Sequence, residues 1–206
     1  MEQNYLMTKE PAYIGRQIPH FDKVDVSRIS PEFSGDMLYR YKLTIPFFDE
    51  PTRTKRAAII LKNPSSADAI KADKTVYNAA KTIYHAFPDV GTVEILNLFG
   101  IRGTKPIDVM TILDNGGDIV GDRNDDAIAE VLSKSDYVIL AWGGASPIKK
   151  SIYDQRIAEI YFQLGKHSSN MKMFRKAEKG SDRYPFHACF WPHNENFIEA
   201  CCMPVI

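Results

Sequence analysis

Residues 56–68 read RAAIILKNPSSAD. The run AAIILK (57–62) is short and almost continuously apolar, the form taken by a strand covered on both faces rather than one. It stops at Asn63-Pro64, and an acidic residue, Asp68, follows in the same loop. The pattern therefore predicts a central buried strand whose carboxyl end opens into a polar turn.

Working outward, the same alternation recurs. TVYNAAKTIYHAF (75–87) sets Val76, Ala79, Ala80, Ile83 and Phe87 at helical spacing. TVEILNLF (92–99) and DYVILAWG (136–143) are further buried strands, and NMKMFRK (170–176) is a fourth. Helices are expected over 105–114, 124–135 and 147–165, the last opened by Pro147. Strands alternating with helices predict a three-layer α/β/α domain around a mainly parallel, four-stranded sheet. Residues 1–35 read as a loop-rich N-terminal extension. Residues 36–206 form the single α/β domain, and its first segment, DMLYRYKLTIPF (36–47), is β-rich.

The bulk numbers set limits. The chain has 206 residues, 44% of them hydrophobic, enough for a real core. Lys+Arg 26 balance Asp+Glu 26, so total charge exerts no pull toward nucleic acid. Three cysteines, Cys189, Cys201 and Cys202, lack any disulfide or metal spacing and read as reduced thiols of a cytoplasmic protein. No signal peptide, membrane segment, metal or cofactor is expected.

In parallel sheets ligands sit beyond the carboxyl ends of the strands. Those ends read NPSSAD (63–68), NLFGIRGT (97–104) and WGGAS (142–146), joined by a late turn, YPFHACFWPHN (184–194). Asn63 either closes an Asx-type turn or orients a water. Asp68 and Asp73 either accept protons or cap the helix that follows. An amide at a buried strand end needs a partner, so Asn97 either makes a structural hydrogen bond or reads a ligand edge. Phe99 either stacks on a flat ligand or belongs to the core. Arg102 suits an anion or a surface ion pair. Gly143 and Gly144, before Pro147, allow a turn with outward amides. His187, among Tyr184, Phe186, Phe190 and Trp191, is a packing residue or a neutral imidazole donor; His193 is a second candidate in the same turn. His20, His85 and His167 have no suggestive neighbours. Lys172, Arg175, Lys176, Lys179 and Arg183 form a basic cluster just before His187. The sequence has no GxSxG, HExxH, Walker A or GxGxxG pattern.

Taken in order, NPSSAD (63–68) with Asp73 and Thr75, NLFGIRGTKP (97–106), AWG (141–143) and PFHAC (185–189) resemble an uncharacterised bacterial family, a domain of unknown function. More distantly, LKNPSS (61–66), EILN (94–97), LAWG (140–143) and His187 are similar to motifs of the uracil-DNA glycosylase-like superfamily. In that superfamily the histidine is followed by Pro-Ser, where this chain has Ala188 and Cys189. The resemblance implies that fold and a hydrolase cleaving the N-glycosyl bond of a nucleobase in DNA, the base being uracil, damaged, or hypermodified as in phage DNA. The last case would make it a host defence enzyme. The implied catalytic residues are Asn63, Asp68 and His187. The implied substrate-binding set is Ser65, Asp73, Asn97, Phe99, Arg102, Trp142, Gly143, Gly144 and Ser146. The alternative is a non-catalytic protein that binds a nucleotide as a sensor or sponge, and a third class is a scaffold keeping the loops for folding.

Overall fold

The computed structural model describes residues 17–64, 67–103, 106–167, 172–176, 180–181, 183–191 and 198–201; for 106–108, 172, 173 and 176 it describes the backbone. Strands β1 (Ser30–Phe33), β2 (Arg40–Pro46), β3 (Lys55–Leu61), β4 (Val90–Asn97), β5 (Tyr137–Leu140), β6 (Lys172–Lys176) and β7 (Ile198–Ala200) form one sheet. Its order is β1-β2-β4-β3-β5-β6-β7. Among the described residues the α-helices are α1 (Lys74–Ala86), α2 (Pro106–Asp114), α3 (Asn124–Leu132) and α4 (Lys150–His167).

The fold is α/β, but the sheet is mixed and seven-stranded where four mainly parallel strands are expected. The four expected strands are the parallel block β4-β3-β5-β6. Antiparallel strands extend both of its edges, β2 then β1 on one side and β7 on the other. The added strands cover backbone groups that a bare four-stranded block would leave open at its edges. The segment 1–35, expected as loop-rich cover, supplies β1 and an isolated bridge between Ile18 and Ala72.

Burial follows from strand alternation. Along β3, Ala57 to Leu61 are all at most 3% exposed. Ala57, Ile59 and Leu61 pack on one face with Val76, Ala79 and Ile83 of α1. Ala58 and Ile60 pack on the other with Ile128 of α3 and Tyr153, Ile157 and Ile160 of α4. Each such aliphatic side chain contributes about 1.5–3 kcal/mol by leaving water. α1 starts where its cap allows: Asp73 Oδ1 accepts the N–H of Val76 at 2.9 Å. Val76, Ala79, Ala80 and Ile83 are its buried stripe, as their spacing predicts.

α4 begins at Lys150, not at Pro147. The Ile148 N–H turns back to Ala145 O at 2.9 Å, and the first helical bond runs from Tyr153 N–H to Lys149 O at 3.0 Å. A turn therefore separates the glycines from the helix. No helix among the described residues is long and apolar enough to cross a membrane.

The connections fix where a ligand would sit. β3 runs through α1 to β4 on one face; β4 returns through α2 and α3 to β5, packing the other. Neighbouring strands β3 and β5 thus send their chains to opposite faces, the topological switch at whose carboxyl ends open α/β sheets hold their ligands.

Candidate functional site

Asn97 ends β4 in register with Leu61, the last residue of β3. Val93 and Ile95 belong to the α1-side cluster and Leu96 and Leu98 to the other, so alternation turns the Asn97 side chain toward α1. It is fully buried, and among the described residues neither Oδ1 nor Nδ2 has a hydrogen-bond partner. Its main-chain carbonyl is held by Asn124 Nδ2 at 3.1 Å. The backbone is thus anchored while the carboxamide is bare, a state that costs about 1–3 kcal/mol per buried group.

Two more buried side chains on this side carry bare atoms: Arg40 at Nε and Asp73 at Oδ2. Arg40 reaches this face through a bulge. The β1–β2 register steps from Glu32↔Lys42 to Phe33↔Arg40, leaving Tyr41 as the extra residue. Tyr41 O–H then donates to Asp122, whereas Arg40 Nη1 donates to Ala67 O at 2.7 Å. Burial pushes the Arg40 guanidinium down to about 10, and Asp73 is the carboxylate that most offsets this. Asp73 spends Oδ1 on the helix cap and keeps Oδ2.

His187 stands at the end of β5. Its Cβ lies where a side chain on Gly143 would go, 2.8 Å from the position of a Cβ there. Gly143 has φ +72°, so glycine is required twice over. Asn78 of α1 pins the turn that follows, its Nδ2 donating to the carbonyls of Ala188, Cys189 and Trp191 at 3.2–3.4 Å. His187 Nδ1 accepts the N–H of Cys189 at 3.2 Å, which places the ring proton on Nε2. Burial, aided by the Lys62 charge and opposed by Asp73, pushes the imidazole down to about 4. At neutral pH it is an uncharged Nε2–H donor. β4, β3 and β5 are adjacent, so the ends of β4 and β5 are roughly 10 Å apart, with the Asn63 loop leaving β3 between them.

The remaining expected residues divide. Asn63 Nδ2 donates to Pro64 O at 3.3 Å and Gly103 O at 3.2 Å, tying the loop after β3 to that after β4. Asp68 Oδ1 closes a turn on the N–H groups of Ile70 and Lys71. Arg102 is half-buried, donates to Met37 O at 3.1 Å and lies over the Phe33 ring. Burial lowers its pKa, and Asp68 opposes this. Phe99 and Trp142 are core residues on the α4 side, 1% and 0% exposed; neither presents a stacking face. The Gly143 N–H, expected to point outward, donates to Pro185 O at 2.8 Å. Gly144 and Ser146 are exposed, and the Ser146 carbonyl accepts from Lys62 Nζ at 3.0 Å. Ser65, Lys179 and His193 lie outside the described residues. In the basic cluster, Arg175 pairs with Glu199 and Arg183 with Asp154.

Residues 40–187 match the model of a family described as "Protein of unknown function (DUF1643)". The chain belongs to this family. No curated protein and no solved structure matches it. The DUF1643 region opens at Arg40 and closes at His187, so every rim residue named above lies within it. One that lies outside is His20, which sequence reading passed over. It is 8% exposed and its Nε2 meets Asp68 O at 3.1 Å. Burial lowers its pKa against the pull of Asp68 and Asp73. Its contact is 48 residues away in the chain, so no local pattern marks it. Arg40 carries a signal that was available: a charged residue inside a β-rich run, which needs an explanation if that run is buried.

Proposed function

We propose that this DUF1643 protein is an N-glycosylase-like hydrolase that releases a nucleobase, most naturally from DNA. The observation that carries this reading is the Asn97 carboxamide, buried with donor and acceptor both bare, facing the α1 side of the rim that also holds a neutral His187. Such an amide complements the mixed donor–acceptor edge of a planar heterocycle. The likeness of LKNPSS, EILN, LAWG and His187 to uracil-DNA glycosylase-like motifs supports the same assignment.

The chemistry is a displacement by water. A water held by Asn63 Oδ1 forms the new bond to the sugar carbon as the C–N bond breaks. The electron pair leaves with the base, and His187 Nε2–H hydrogen-bonds the departing anion. A positioned donor of this kind contributes about 10²–10³ in rate. The water proton passes to Asp68, whose Oδ2 the turn leaves unused. A base within a duplex must first leave the stack.

One observation favours the non-catalytic alternative. The Asn63 amide nitrogen and one Asp68 oxygen, on the two residues assigned to the water, are both occupied in loop closure, a structural use that a nucleotide-binding loop requires and the displacement does not. Mass spectrometry of bases released from normal, damaged and phage-modified DNA separates the two readings. A hydrolase releases a base, and Asn63→Ala abolishes release while affinity persists. Tight binding of a nucleotide with no base released from any DNA would establish the alternative.

A further inference from the structure

Asp73 is a buried carboxylate that the proposed mechanism does not use. It is 7% exposed and held rigid by its cap bond to Val76, and its Oδ2 has no partner among the described residues. Arg40 on the same side is 0% exposed, with Nε bare and no carboxylate within ion-pair distance among the described residues. Asn97 adds a bare donor and a bare acceptor. Buried polar groups in folded proteins are nearly always satisfied, so three such side chains at one end of one sheet face mark a ligand surface.

The donor–acceptor balance of that surface selects among bases. Uracil and thymine present one ring N–H flanked by two carbonyl oxygens. Asn97 alone can satisfy such an edge, and a fixed carboxylate would face oxygen lone pairs across it. A base with an exocyclic amino group offers N–H donors beside a ring or carbonyl acceptor. That is the complement of a carboxylate and a guanidinium that share one side of the sheet without pairing with each other. We infer that Asp73, supported by Arg40, is a specificity-determining residue that makes the site select amino-bearing bases, of guanine or cytosine type, and reject uracil and thymine. This rests on the proposal that the site holds a nucleobase.

The substitution Asp73→Asn tests it, because asparagine caps helices about as well as aspartate. It replaces one carboxylate oxygen with an N–H₂ donor and leaves α1 intact. Calorimetric titration of the whole protein with 2′-deoxyguanosine, 2′-deoxycytidine, 2′-deoxyuridine and thymidine reads the preference. The wild type is expected to bind an amino-bearing nucleoside about 10- to 100-fold more tightly than 2′-deoxyuridine. Asp73→Asn is expected to remove or reverse that ratio, and Asn97→Ala to weaken all four. A wild type that prefers 2′-deoxyuridine or thymidine, or a ratio unchanged by Asp73→Asn, overturns the inference. Failure of the hydrolase reading looks different: the preference and its loss in Asp73→Asn would stand while no DNA yields a free base.

Discussion

At the scale of single residues, a side chain kept for binding is recognised by its disadvantage to the fold. Asn97 carries such a disadvantage: leucine, of similar size, would fill its place on the apolar α1 side of the sheet without two unpaired polar atoms. Asn97→Leu is therefore expected to raise stability by about 1–3 kcal/mol in denaturant unfolding while abolishing nucleoside binding. Loss of stability would show that the amide is structural. Gly143→Ala is expected to do the reverse, destabilising by about 1–3 kcal/mol, because its Cβ would meet His187 and its φ is left-handed. His187 also sets a pH dependence. Its folded pKa, about 4, lies below the ordinary 6.5, so the unfolded chain binds the proton first. Its contribution is complete above about pH 6.5 and is lost as pH falls toward 4. Histidine ring shifts followed by NMR are expected to show the His187 proton confined to Nε2 at pH 7, with no titration above pH 5.

At the scale of elements, the site depends on how few contacts hold its loops. Asn78 is one residue of α1, yet it carries three carbonyls of the turn after His187. Asn78→Ala is expected to destabilise by about 1–3 kcal/mol and to lower turnover more than nucleoside affinity, since the imidazole loses its placement while Asn97 keeps its own. Equal loss of both would mean that the turn supports binding generally. Helices and strands of this kind were legible in the sequence, because period and length identify them. Their edges were less so. Pro147 read as a helix start, but the turn at Ala145–Ile148 takes the chain first. The bulge at Tyr41 was invisible to alternation, and it is what swings Arg40 to the α1 side.

At the scale of the whole molecule, the parallel block and its rim follow from buried strands alternating with helices. The strand ends named from sequence, after β3, β4 and β5, do lie side by side. What sequence could not supply is which face each residue takes and which distant segment closes over it. Phe99 and Trp142 stand at strand ends, where a ligand contact is expected, but alternation puts them in the α4-side core. His20 was passed over because it arrives from an N-terminal segment bridged to Ala72. A hollow of about 510 Å³ is lined by Tyr39, Tyr41, Asp118 and Asp122, none of them a rim residue. It supplies the control for a direct measurement: side-chain amide and imidazole NMR signals of isotope-labelled protein, followed as a nucleoside or a short DNA is added. If the rim holds the base, Asn97 Nδ2–H₂ and His187 Nε2–H shift together and saturate at one concentration. Saturable shifts confined to the Tyr39–Tyr41 hollow, with both rim signals unmoved, would contradict it.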